Sequence, residues 1–172
     1  MLFDCRWLEI GKTELRPDAR RFENWEFNYA ALLGLGAAVD YALEIGLDNI
    51  HARIKELATT LRAALSSLPG VTVTDIGRPE MMCGLVTFYV EGHDSGDLKQ
   101  QLSEKHAVTV STSHPSSTLI DATQRGIPVV VRASVHYYNS GGELEAFVRA
   151  LADIIGAPVA PDHAEVAVLA SI

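Results

Sequence analysis

From Asn24 to Ile45 the apolar positions Phe27, Ala31, Gly34, Ala38, Tyr41 and Ile45 recur at steps of three and four, the period of a helix. Leu32, Leu35, Val39 and Leu43 cover much of the remaining circumference, so this helix is expected to be buried on several sides. Gly46 ends it, and Asp48 can cap a second helix over about 49–67. There Ile50, Ile54, Leu57, Leu61, Leu65 and Leu68 form one stripe, while Arg53, Lys55, Glu56 and Arg62 face water. Pro69-Gly70 turns the chain into a short strand from Val71 to Thr74, and Leu85–Val90 reads as a second strand. A short helix follows over Asp94–Lys105, with Leu98 and Leu102 inward, and then a third strand over Ala107–Ser111. A polar loop carrying Ser113, Pro115, Ser116 and Ser117 leads to a fourth strand, Val129–Val135. The last helix, about 141–155, presents Leu144, Phe147, Val148, Leu151, Ile154 and Ile155.

Two long helices followed by β-β-α-β-β-α describe an α+β fold with a small antiparallel sheet covered by helices. Residues 1–23 show neither period and read as an irregular arm. The domain proper is expected over 24–156, and 157–172 reads as a tail without period. No internal repeat or low-complexity tract occurs in the sequence.

Composition narrows the function classes. The 172 residues include 14 Lys and Arg against 22 Asp and Glu, a formal charge of −8, which argues against a nucleic-acid partner. Only two cysteines are present, Cys5 and Cys83, far apart and outside any zinc or disulfide spacing. The start carries Asp4 and no signal-peptide core, and the most apolar stretch, Tyr29 to Leu47, contains Asp40 and Glu44. A cytoplasmic protein without a membrane span is therefore expected.

Four groups of residues invite a chemical reading. Gly34-Leu-Gly36 resembles the opening of a dinucleotide fingerprint, but the glycines lie in mid-helix and no strand precedes them, so close helix packing explains them better. Ser113, His114 and Asp121 share a polar loop without a nucleophile elbow, and a triad needs convergence that proximity in sequence does not supply. The six histidines show no metal-ligand spacing, and no metal is expected. Arg132 is the most informative residue, because it interrupts the apolar run from Ile127 to Val135 that otherwise reads as a buried central strand. A buried guanidinium must meet an anion. A ligand carboxylate suits its bidentate fork. An edge-strand arginine in solvent and a structural ion pair are the other readings. His136, just beyond the same strand, is either structural or part of the same site.

Two anchors carry a resemblance. Arg21-Phe-Glu23, Asn28 and Gly34-Leu-Gly-Ala-Ala-Val-Asp40-Tyr resemble the entry to the small domain of class V aminotransferases, the fold-type-I pyridoxal phosphate enzymes that include cysteine desulfurases and isopenicillin-N-epimerase-like proteins. Val131-Arg-Ala-Ser134-Val-His-Tyr-Tyr-Asn139, followed by Glu143 and Leu144, resembles the family's closing pattern of an arginine strand, a Tyr-Asn turn and a helix. The likeness spans about residues 14–155.

The resemblance implies that Arg132 grips the α-carboxylate of an amino-acid substrate, with Ser134, His136 and Asn139 as orienting or structural neighbours and no catalytic residue on this chain. It implies pyridoxal phosphate as the family cofactor and a homo-oligomer as the assembly. Where the family often shows Gly-Thr, with the threonine reaching a cofactor phosphate, this chain has Trp25-Glu26, whose carboxylate would repel phosphate. That pair is closer to the epimerase-like branch, and the segment Ser113–Gly126 lacks the sulfur-accepting cysteine of a desulfurase. The family's cofactor lysine forms a Schiff base after a doubly wound domain. The lysines here, Lys12, Lys55, Lys99 and Lys105, sit in no such context. The chain is thus expected to be a C-terminal small domain, inactive alone and supplied with substrate only when a large domain completes the site. The alternative is a non-enzymatic self-associating or partner-binding module.

Overall fold

Val86, Phe88 and Val90 on one strand and Val131 and Ala133 on the next all turn to the same face of a sheet, and each is buried. The computed structural model describes residues 5–22 and 26–158. Its sheet has four strands, β3 (Val71–Val73), β4 (Leu85–Val90), β5 (Ser111–Ser113) and β6 (Val130–Ser134), in the order β3-β4-β6-β5 and antiparallel throughout. Helices α2 (Leu47–Ser66), α3 (Ser95–His106) and α5 (Gly141–Ile155) cover the apolar face. Leu57, Leu61 and Leu65 of α2, Leu98 and Leu102 of α3, and Leu144, Phe147, Val148 and Leu151 of α5 join the strand residues in one core. Phe88 and Phe147 tilt against each other at 6.2 Å between ring centres, a favoured aromatic geometry.

The chain divides into two compact units, Met1–Ile45 and Gly46–Ile172. The division falls inside the span 24–156 that the sequence pattern groups together. In the first unit, residues 5–15 are not irregular: β1 (Cys5–Glu9) and β2 (Lys12–Leu15) form a hairpin, turned through Ile10 and Gly11, where Gly11 takes φ +80. The ribbon escaped the pattern because it buries no side chain, so nothing selects apolar residues at alternate positions. After a short 3₁₀ turn at Ala19–Phe22 comes α1 (Tyr29–Ile45). The expected burial of this helix is not found, since none of its residues is buried and Leu33 is 76% exposed. The close packing expected at its glycines is not found among the described residues, where a Cβ at Gly34 or Gly36 would meet nothing within 4 Å.

In the second unit two more differences have local causes. The third strand begins at Ser111 instead of Ala107, because the residues after α3 are spent closing it: Ala107 takes a left-handed φ of 55 and Val108 N–H donates to Leu102 O at 3.0 Å. The polar loop after β5 winds into a 3₁₀ turn (Pro115–Thr118) and a short helix, α4 (Leu119–Arg125), with Ala122 as the one buried residue of the pair, too little burial to print a period. Of the expected tail 157–172, positions from 159 onward lie outside the described residues, as do Glu23 and Trp25.

Candidate functional site

The face of the sheet opposite the core is polar. Cross-strand partners share a face, so Thr87 on β4 and Ser111 on β5 flank Arg132, which they oppose directly on β6. Ser134 and its partner Leu85 continue the same face one step along. Arg132 therefore stands on a central strand, as its apolar neighbours Val131 and Ala133 require, but the strand is buried on one side only and the guanidinium is exposed. The premise of a fully buried arginine is thus corrected: alternation along β6 sends Val131 and Ala133 to the core and Arg132 and Ser134 to the open face.

Arg132 is neither on an edge strand nor in an ion pair among the described residues. Its Nε donates to Ser111 Oγ at 3.0 Å, and its two Nη groups have no partner there. The contrast with other arginines is sharp. Arg53, Arg125 and Arg149 each pair with a carboxylate at 2.7–2.9 Å on their own helix. Arg62 is held at two of its three nitrogens: Nε donates to Asp75 Oδ2 at 2.7 Å, and Nη2 donates to Cys83 O and Leu85 O, each at 2.8 Å. An arginine fixed at Nε with its outer fork open is arranged to receive a planar anion.

The remaining candidates separate into two places. Ser134 shares the open face with Arg132. His136 and Asn139 lie in the turn that follows: Asn139 Oδ1 accepts from His136 N–H at 2.8 Å and Asn139 N–H donates to His136 O at 3.0 Å. Arg53 of α2 reaches Asn139 O at 3.4 Å, and the His136 ring lies 4.5 Å from both Tyr137 and Tyr138, stacked on the latter. The turn delivers the chain to α5 through a capping box, Ser140 Oγ accepting from Glu143 N–H while Glu143 accepts from Ser140 N–H at 2.7 Å. The hydrogen bonds from Ser140 hold the Glu143 carboxyl below its ordinary value, with Asn139 adding to the effect.

Ser113, His114 and Asp121 form no triad. Ser113 is on β5, while the Asp121 carboxylate is held by Arg125 at 2.9 Å, one turn along α4. Among the described residues no group of three or more His, Cys, Asp or Glu could hold a metal ion. Three residues that shape the open face carried no sequence signal. Ser111 is one serine among many, and Arg62 and Asp75 meet only through the fold.

The family cofactor needs a lysine inside a covered pocket and an acid for its ring nitrogen. Lys12 is on the exposed hairpin, 3.3 Å from Glu9, and Lys105 Nζ donates to Gln101 at 2.8 Å along α3. Lys99 is exposed on α3. Lys55 lines an open cleft of about 430 Å³ beside His51, Met81 and Cys83. Glu80 shares that cleft with Lys55, but the cleft is open and none of the four lysines stands in a covered pocket, so the described residues do not make the cofactor's site by themselves.

The fold is that of the small α+β domain of fold-type-I pyridoxal phosphate enzymes. The chain belongs to the class-V aminotransferase family, matching Aminotransferase class-V over residues 7–147. A probable cysteine desulfurase of Methanothermobacter thermautotrophicus is 30% identical over 140 residues, 79% of this chain and 34% of that protein. Another, from Xylella fastidiosa, is 33% identical over 131 residues, 76% of this chain and 30% of its own length. The apo structure of a cysteine desulfurase from Thermococcus onnurineus superposes with a TM-score of 0.70 at 25% identity, over 90% of this chain and 38% of that one. The chain thus spans about a third of the length of these relatives. They are desulfurases, the branch that the Trp25-Glu26 pair and the cysteine-free Ser113–Gly126 segment disfavoured.

Proposed function

We propose that this chain supplies the substrate-carboxylate arginine of a class-V aminotransferase-type enzyme, with Arg132 receiving the α-carboxylate of an amino acid. The observation that carries this reading is the open Nη fork of Arg132 on a polar sheet face, with Nε already fixed by Ser111. A carboxylate bound there accepts two parallel N–H bonds and needs no rearrangement of the arginine. When bound, pyridoxal phosphate supplies the electron sink for chemistry at the amino-acid α-carbon. This chain's part is to hold the carboxylate and orient the substrate. The lysine and the cofactor pocket come from a large domain, so the chain alone neither transaminates nor eliminates. Loss of sulfur from cysteine is not favoured, because no thiol lies in the Ser113–Gly126 segment. A cytoplasmic homo-oligomer belongs to the same reading. The test is titration of the chain with acetate, followed by NMR at the Arg132 Nε–H. A saturable shift, lost in Arg132→Gln, is expected, and no response from that resonance defeats the reading.

A second reading is favoured by one observation. Helix α1 exposes Leu32, Leu33, Leu35, Val39, Tyr41 and Leu43, each about half exposed or more, and exposed apolar surface of this kind marks interaction sites. A non-enzymatic module would use it to self-associate or to bind a partner. Sedimentation of the chain at high concentration tests this, and a monomer would count against it.

A further inference from the structure

Helix α3 ends against α5 with one polar atom left over. His106, the last residue of α3, has Nε2 buried and without a hydrogen-bond partner among the described residues. A buried nitrogen left unsatisfied costs free energy, so such an atom calls for a physical reason. Across from it stands the Asp153 carboxylate, in the last turn of α5, whose Oδ2 lies 3.5 Å from Nε2 without making a hydrogen bond. The other charged groups near the end of α3 are engaged elsewhere. On α3 itself, Lys105 Nζ donates to Gln101 at 2.8 Å and Glu104 accepts from Gln100 at 2.9 Å. On α5, Arg149, one turn before Asp153, pairs with Glu145 at 2.7 Å. The strands beneath α3 turn uncharged residues to it, Thr112 of β5 and Val131 and Ala133 of β6, while Arg132 is on the opposite face.

We propose that His106 and Asp153 form a pH-sensitive tether between the end of α3 and the last turn of α5, closed by protonation of the imidazole. With a neutral ring whose proton is on Nδ1, Nε2 turns a lone pair toward a carboxylate oxygen, and neither atom can donate. Once protonated, Nε2 donates a charge-assisted bond. The positive charge then also sits at the C-terminal end of α3, where the helix dipole favours it. Protonation thus gives the buried nitrogen the partner it lacks. The tether is present in mild acid and is released as pH rises through about 5–8, the range in which histidine changes charge. Asp153 is 77% exposed against 25% for His106, so solvent screens the pair and its effect is modest. Arg132 and its carboxylate play no part in it.

Amide hydrogen exchange of the full chain, followed by NMR at the Ala107 and Val108 N–H groups that close α3, reads the tether. The unaltered chain is compared with Asp153→Asn, His106→Gln and the double variant, each at about pH 5 and about pH 8. At the lower pH, Asp153→Asn is expected to exchange about threefold faster than the unaltered chain, the scale of a partly exposed ion pair. At the higher pH the two should match, a difference that a purely structural role for Asp153 would not produce. In the His106→Gln background, Asp153→Asn should change nothing at either pH. Should His106→Gln not fold, the His106 Nε2–H resonance of the unaltered chain takes its place, slow to exchange at about pH 5 and lost in Asp153→Asn. An equal effect of Asp153→Asn at both pH values, no effect at either, an effect that survives His106→Gln, or a fast-exchanging Nε2–H in acid overturns the proposal.

Discussion

Arg132 Nε donates to Ser111 Oγ at 3.0 Å across the β5–β6 pair. This one bond leaves the outer fork free while limiting its rotation. Ser111→Ala removes the anchor without touching the core. It is expected to weaken acetate binding by about fivefold, the value of one ordinary hydrogen bond, and to change urea-unfolding stability by under about 0.5 kcal/mol.

Gly84 lies where β4 begins, with α2 on one side and the end of β6 on the other. A Cβ there would stand 2.6 Å from Val135 O and 2.8 Å from Ile54 Cγ2. Because one of these atoms is backbone, and Gly84 O also accepts from Val135 N–H at 2.9 Å, the strand must shift to admit a methyl. Gly84→Ala should destabilise the chain by about 1–3 kcal/mol in urea unfolding.

The capping box of α5 gives a pH signature. Glu143 has its folded pKa lowered beneath its ordinary 4.5, chiefly by the Ser140 backbone N–H. Its contribution is therefore fully present above 4.5, and is lost as pH falls through the lower folded value. Glu143→Gln should be less stable than the unaltered chain at neutral pH, and the gap should close in acid, as followed by thermal melts across pH. Ser140→Ala, which removes the cap itself, should cost about 1 kcal/mol.

Treatment with pyridoxal phosphate and borohydride, followed by peptide mass spectrometry, tests the division of labour between domains. Lys12, Lys55, Lys99 and Lys105 should give only scattered, substoichiometric adducts. One stoichiometric adduct at a single lysine would show that this chain holds the cofactor itself.

The second unit was legible in the sequence where burial wrote a period. The Leu57-Leu61-Leu65 stripe, the β4 run and α5 were all read from residues that the core later claims. Two elements that bury little and carry no period stayed invisible, the exposed β1–β2 hairpin and α4 with Ala122 alone inside, whereas α1, which buries no residue, was legible from its period. Arg132 stood out because its strand neighbours are core residues, yet the reading of that strand as buried holds for one face only, since periodicity shows which residues alternate and not whether the second face is covered. Asp75 and Arg62 could not be paired from the sequence, because only the early end of β3 brings them to the same strand edge.

A crystal structure of the chain grown with acetate measures the central claim most directly. The account predicts a carboxylate lying in the plane of the Arg132 guanidinium, with two N–H···O bonds of about 2.7–2.9 Å to Nη1 and Nη2, while Nε stays on Ser111. An Arg132 fork closed by a carboxylate of its own chain, with acetate bound elsewhere, would contradict it.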